Sequence, residues 1–176
     1  MLGMAQRILV LGGARSGKSA FAERLLADCA TVRYLATAVL DPTDHDFASR
    51  IEGHRDRRPT TWTTVENASA ADVLTTSAPA TLLDDTGTWL TARIDERDAW
   101  DSPRGTVAPD CDALVAAVAA HRDRLVIVSP EVGQGVIPPT RSGRLFRDEL
   151  GTLNQRLAEV CDEVYFVIAG LPTRLK

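Results

Sequence analysis

Residues 9–26 read LVLGGARSGKSAFAERLL. A short apolar run, RILVL at 7–11, stops at Gly12 and Gly13, and a helical pattern begins near Lys18. The short run, partly β-branched and closed by glycines, predicts a buried strand. In KSAFAERLLAD, 18–28, Phe21, Leu25 and Asp28 fall on successive turns with Ala22 and Leu26 alongside, which predicts a helix. Between strand and helix, GGARSGKS satisfies GxxxxGK[ST], with Gly12, Gly17, Lys18 and Ser19 in the fixed places. Glycines let successive backbone N–H groups converge on one concavity, which suits a phosphate. The ammonium of Lys18 reaches β- and γ-phosphates, and the hydroxyl of Ser19 is placed to hold Mg²⁺. Gly12, Gly13, Ala14, Arg15, Ser16, Gly17, Lys18 and Ser19 are therefore the expected phosphate cradle.

Outward from this turn, VRYLAT (32–37) reads as a second strand, and DPTD as a turn in which Asp44 caps a helix over about 45–57, stopped by Pro59. TWTTVE (61–66) is a third strand, SAADVLTT a short helix, and ATLLDD (80–85) a fourth strand ending in acid. A helix begins over 87–94, and DERDAWDSPRGTVAPD reads as an exposed loop. CDALVAAVAAHRD is a helix, RLVIVS a fifth strand, PEVGQGVIPP a loop, and TRSGRLFRDELGTLNQRLAEVCD a long amphipathic helix. EVYFVIAG is a sixth strand and LPTRLK a short tail. Nearly continuous apolar strands alternating with helices imply a mostly parallel sheet covered on both faces. The expectation is a single P-loop nucleotide-binding domain over 1–176.

Composition narrows the class. The 176 residues are 44% hydrophobic and 25% charged with net charge −4, an ordinary globular balance without the basic excess of a general nucleic-acid binder. Cys29, Cys111 and Cys161 form neither a CxxC pair nor a zinc spacing and read as reduced thiols in the core. No apolar run approaches the roughly 20 residues of a membrane span, and MLGMAQR is too short and weakly charged for a secretory signal, so the expected location is cytoplasmic.

Two further stretches carry chemistry. TLLDD brings Asp84 to the carboxyl edge of the sheet, where open α/β folds bind ligands, and its carboxylate suits Mg²⁺ directly or through water. Asp85 beside it is the weaker candidate. RIEGHRDRRP (50–59) puts Arg50, His54 and Arg58 four apart, on one helical face. A basic face suits a polyphosphate, and nearby cations favour the neutral imidazole needed for acid, base or nucleophilic work. From spacing alone, a solvated surface histidine fits as well. His45 and His121 have no comparable surroundings and read as structural or exposed.

The ordered set ILVLGGARSGKSAFAERLL, YLAT, RIEGHRDRRPTTWTTVE, TLLDDTGTWLT, VIVSPEVGQGVIP and GTLNQRLAEVCDEVYFVIAGLPTRLK strongly resembles the bifunctional adenosylcobinamide kinase/adenosylcobinamide-phosphate guanylyltransferase family, from about residue 7 to residue 176. That resemblance implies a RecA-like P-loop NTPase fold, an α/β three-layer sandwich with six to seven mostly parallel strands. It implies phosphorylation of adenosylcobinamide by a nucleoside triphosphate, ATP or GTP, then transfer of GMP from GTP to adenosylcobinamide phosphate. It also implies Mg²⁺ and a homotrimer. The family's guanylylated histidine falls on His54. Its nucleotide contacts fall on the cradle, on Thr37, Ala38 and Val39, on Arg55, Asp56, Arg57 and Arg58, on Glu66 and on Asp84. Catalysis is expected from His54 and Lys18, and metal binding from Ser19 and Asp84.

The chain departs from the family pattern at Pro130, where a polar residue is usual before Glu131, and at Asp85, where cysteine is frequent. Proline lacks an N–H, so a loop hydrogen bond is expected to be lost there. Gly53 precedes His54 on the expected helix and loosens that turn. Two other readings remain: a monofunctional P-loop kinase for a small metabolite, which leaves the His54 cluster idle, and a P-loop switch that binds nucleotide and signals to a partner. The lack of an NKxD guanine-reading motif counts against an ordinary small GTPase.

Overall fold

In the structure, a computed structural model, residues 6–38, 43, 53 and 58–176 are described. The expected helix over 45–57 lies outside them, apart from Gly53. Among the described residues seven strands form one sheet: β1 Arg7–Gly12, β2 Arg33–Ala36, β3 Thr63–Val65, β4 Ala80–Asp84, β5 Arg124–Pro130, β6 Glu163–Ile168 and β7 Leu171–Arg174. The helices are α1 Lys18–Arg24, α2 Ala70–Leu74, α3 Thr86–Glu96, α4 Ala108–Ala120 and α5 Arg141–Val160. The spatial order is β3-β2-β4-β5-β1-β6-β7. All neighbours pair in parallel except β6 and β7. The α/β P-loop layout expected from the sequence is the one observed.

Strand alternation sorts the core into two layers. Leu9, Leu35, Leu83, Leu125 and Ile127 face one side and pack under α2 to α5, through Leu74, Trp89, Leu90, Ile94, Leu114, Leu150, Leu153 and Leu157. Ile8, Val10, Tyr34, Leu82, Val126 and Val128 face the other and pack under Phe21, Ala22 and Leu26. Burial on both faces is why these strands read as unbroken apolar runs. Cys111 and Cys161 are buried as expected, and burial pushes their thiols up to about 11 and about 12. Cys29 is only half-buried. His121 is buried, with Nδ1 2.9 Å from the Leu74 carbonyl, a structural role.

Two expectations need correction. LPTRLK is not simply a tail: Leu171–Arg174 is an antiparallel edge strand, with Pro172 tolerated because an edge leaves one row of N–H groups unpaired. Ala169 and Gly170, at φ +50° and +77°, make the two-residue turn of this hairpin, a geometry that matches strand twist. The segment read as an exposed loop after 94 begins inside α3, which runs to Glu96, and ends inside α4, which starts at Ala108. Ala99 and Val107 within it are buried and Trp100 packs partly against the larger core cluster.

Beneath the carboxyl edge a polar chain crosses the core. The Thr86 hydroxyl donates to Ser129, Ser129 donates to Asn154 Oδ1, and Asn154 Nδ2 donates to the Pro130 carbonyl at 3.1 Å. It joins α3, β5 and α5 where the site is built. Asn154→Ala strands two of these groups, and a buried group without its partner costs about 1–3 kcal/mol. Urea unfolding should show that loss, with nucleotide affinity per folded molecule little changed.

Candidate active site

The phosphate turn leaves β1 at Gly12. A Cβ there would lie 2.4 Å from Ser16 Oγ and 2.9 Å from the backbone oxygen of Val167 on β6. Side-chain movement relieves the first contact but not the second. Gly17 sits at φ +89° as the cap of α1, a conformation that favours glycine. A Cβ on Gly17 would approach the Gly170 Cα at 3.1 Å. The Gly170 N–H donates to the Ser16 carbonyl at 2.7 Å, so the β6–β7 turn braces the phosphate loop from behind. Arg15 is exposed, with φ +55°. Lys18 Nζ donates to the Gly13 carbonyl at 3.3 Å, which places the ammonium over the loop. Gly12→Ala should lower stability by about 1–3 kcal/mol through overpacking against β6. It should weaken nucleotide binding roughly tenfold or more, equivalent to about 1.4 kcal/mol. Thermal melts and fluorescent-GTP titration read the two effects separately.

Thr37 and Glu66 follow the carboxyl ends of β2 and β3, and Asp84 is the last residue of β4, all on the same edge as the phosphate turn. Thr37 and Asp84 are tied together. The Thr37 N–H donates to the Asp84 carbonyl at 3.4 Å, and the Thr37 hydroxyl donates to the Asp85 carbonyl at 2.6 Å and pairs with Thr88 at 2.6 Å. Thr37 thus fixes the β4–α3 junction. Asp85 caps α3 by accepting from the Thr88 N–H at 2.8 Å. Ala38 is half-buried beside Thr37, and Glu66 is exposed just past β3, the edge strand separated from β4 by β2. Val39, His54, Arg55, Asp56 and Arg57 lie outside the described residues, as does His45.

Strand β5 lies between β1 and β4, so Asp84 faces the phosphate turn across the end of β5. That end carries the departure at Pro130. The ring fits because Gly87 opposite has no side chain; a Cβ there would meet Pro130 Cγ at 2.6 Å. The next residue restores the edge bonding, with the Glu131 N–H donating to the Gly12 carbonyl at 2.9 Å. The Glu131 carboxylate accepts from the Gly133 N–H at 2.5 Å and shapes the following loop, which exposes Val136 and Ile137.

Sequence reasoning passed over Tyr34. Its hydroxyl donates to Asp84 Oδ2 at 2.7 Å, and the Arg58 guanidinium lies 3.3 Å from its ring centroid. Burial, with the Asp84 carboxylate adding to it, holds the phenol far above its ordinary range, so it remains a donor at any working pH. A signal was present: a tyrosine inside a buried strand needs a partner for its hydroxyl.

Ser19, in the first turn of α1, and Asp84, the last residue of β4, are the two oxygen-bearing side chains that the sequence reading offers to a hard cation. Among the described residues no group of three or more His, Cys, Asp or Glu side chains could hold a metal. That donor set fits Mg²⁺, which takes one or two protein oxygens and completes its shell with phosphates and water. No helix among the described residues is long and apolar enough to cross a membrane.

A family model described as cobinamide kinase / cobinamide phosphate guanyltransferase matches residues 8–175. The bifunctional adenosylcobalamin biosynthesis protein CobU of Salmonella typhimurium is 38% identical over 181 residues, covering 96% of this chain and 99% of its own. CobP of Pseudomonas aeruginosa, with the same description, is 41% identical over 177 residues, covering 97% of each. Among solved structures, a prototypical ATPase from the type III secretion system of pathogenic bacteria superposes with a TM-score of 0.57 at 10% identity, covering 97% of this chain and 57% of that one. At that identity the likeness concerns the fold alone.

Proposed function

The chain belongs to the cobinamide kinase/cobinamide phosphate guanyltransferase family, and from that premise we propose how its residues divide the two reactions. It phosphorylates adenosylcobinamide with a nucleoside triphosphate and then transfers GMP from GTP to the product, giving adenosylcobinamide-GDP and pyrophosphate. The observation that carries the reading is the glycine-dependent phosphate turn, held at one sheet edge with Asp84 and Arg58.

In the kinase step the cobinamide hydroxyl oxygen attacks the γ-phosphorus and gives its proton to solvent, while the bond from the γ-phosphorus to the β–γ bridging oxygen breaks and the nucleoside diphosphate leaves. Residues Gly12 through Ser19 hold the polyphosphate, and Lys18 offsets charge on the leaving diphosphate. In the transfer step a ring nitrogen of His54 attacks the α-phosphorus, the α–β bridging bond breaks, and pyrophosphate leaves. An oxygen of adenosylcobinamide phosphate then attacks the same phosphorus and the P–N bond breaks, returning the imidazole. Arg55, Arg57 and Arg58 counter the polyphosphate charge. Thr37, Ala38, Val39, Asp56 and Glu66 complete the nucleotide surroundings, the Glu66 carboxylate suiting guanine N–H groups or ribose hydroxyls. Ser19 and Asp84 would hold Mg²⁺, which when bound neutralises charge on the phosphate oxygens. A single domain, a cytoplasmic location and a homotrimer belong to the same reading; the exposed Ile168, Leu171 and Leu175 give apolar surface for self-association.

The test is to supply adenosylcobinamide with ATP and GTP and separate the corrinoid products. Adenosylcobinamide-GDP is expected. Adenosylcobinamide phosphate alone would limit the chain to the kinase, and an unchanged corrinoid would defeat the reading.

A further inference from the structure

We propose that Tyr34 is a positioning residue that sets Asp84 for the metal–nucleotide complex with its hydroxyl and sets Arg58 for the polyphosphate with its ring; this rests on the two-reaction reading above.

The placement follows from register. Tyr34 on β2 pairs with Leu82 on β4, so Asp84 is its diagonal neighbour on the same face, two residues further along. Diagonal neighbours on parallel strands are too far apart for short side chains but within reach of an aromatic one. The tyrosine spans that gap and ends in a 2.7 Å hydrogen bond to Oδ2. Tyr34 is 4% exposed, so its ring is fixed by packing, within the cluster that includes Phe21, Val32 and Leu82. A donor held by a rigid ring restricts the rotation of a carboxylate at a strand end, where nothing else on its own strand follows.

The ring does a second task. Arg58 closes the RIEGHRDRR run, and its guanidinium carbon lies over the phenol ring, 3.3 Å from the centroid. Stacking of this kind orients a planar guanidinium while keeping its charge. One buried side chain therefore links the carboxylate expected to meet the metal with a cation from the segment that carries His54. A change at Tyr34 should be felt in both, by separable routes: the hydroxyl through Asp84, the ring through Arg58.

The experiment uses the full chain with Tyr34→Phe, Tyr34→Leu, Asp84→Asn and the Asp84→Asn/Tyr34→Phe double variant. The first readout is equilibrium binding of a fluorescent, non-hydrolysable GTP analogue with and without Mg²⁺. Tyr34→Phe should lose about tenfold of the Mg²⁺-dependent gain in affinity and keep the Mg²⁺-free affinity, and it should add nothing in the Asp84→Asn background. The second readout is the ratio of guanylylation to kinase rate at saturating Mg²⁺. Tyr34→Leu should lower that ratio several-fold, while Tyr34→Phe, which keeps the ring, should leave it unchanged. A full Mg²⁺ gain in Tyr34→Phe, or an equal further loss in the double variant, overturns the hydroxyl assignment. Equal ratios in Tyr34→Leu and wild type overturn the ring assignment. If the unsubstituted chain shows no Mg²⁺-dependent binding at all, the metal–phosphate reading of the site falls first, and this one with it.

Discussion

Replacing His54 by alanine should leave no covalent guanylyl adduct and lower GMP transfer by a factor on the order of 10⁴ or more, the scale seen when a covalent nucleophile is removed. The adduct is a phosphoramidate, labile in acid and stable in base, so GTP labelled at the α-phosphate followed by denaturation detects it directly. The kinase step needs no attacking imidazole, because its nucleophile is the cobinamide hydroxyl, and it should continue near its normal rate. That split separates a nucleophile from a residue that merely supports the fold, whose loss would depress both rates. An adduct surviving the substitution would sink the assignment. The surrounding arginines are expected to assist twice, by favouring the neutral ring before attack and by countering charge on the departing pyrophosphate.

Lys18→Ala should lower both half-reactions by about 10²–10³, the usual effect of removing one preorganised donor to a developing charge. On the proposed reading both steps break a bridging P–O bond of a triphosphate held by the same turn, so both should need the ammonium. Arginine should not substitute well, because its planar fork is longer and wider than the point charge it replaces. The native fold should persist, since Lys18 is half-buried and its bond to the Gly13 carbonyl is a weak 3.3 Å contact. Steady-state assays of each step, with circular dichroism as the control for folding, check this. A loss confined to one step would mean that the two reactions place their nucleotides differently.

The parts of this molecule that were legible beforehand are those governed by short-range rules. β1, β4 and β5 are buried on both faces and show it as unbroken apolar runs, and the phosphate turn carries its glycines where sterics demand them. β7 was not legible, because an edge strand exposed on both faces has neither an apolar run nor an alternation to betray it. The role of Asp85 was only half-visible: an acid after a strand can serve a ligand or cap a helix, and the Thr88 N–H decides for the cap. Tyr34 escaped notice for a different reason. Its significance depends on β2 and β4 being neighbours in one particular register, although they are separated in sequence by β3 and α2. Periodicity cannot reveal a pairing of that kind. Likewise Pro130 looked like a lost hydrogen bond, and only the spatial neighbour Gly87 shows how the ring is accommodated.

The brace from Gly170 to Ser16 has a bearing on how the protein is born. β1 lies between β5 and β6, both of which come from the later part of the chain, and the phosphate turn rests on the hairpin that follows β6. On the ribosome, the opening strand and its glycine loop therefore emerge long before the pieces that shape them. Competence to grip a nucleotide should arrive late and all at once, as that hairpin clears the exit tunnel.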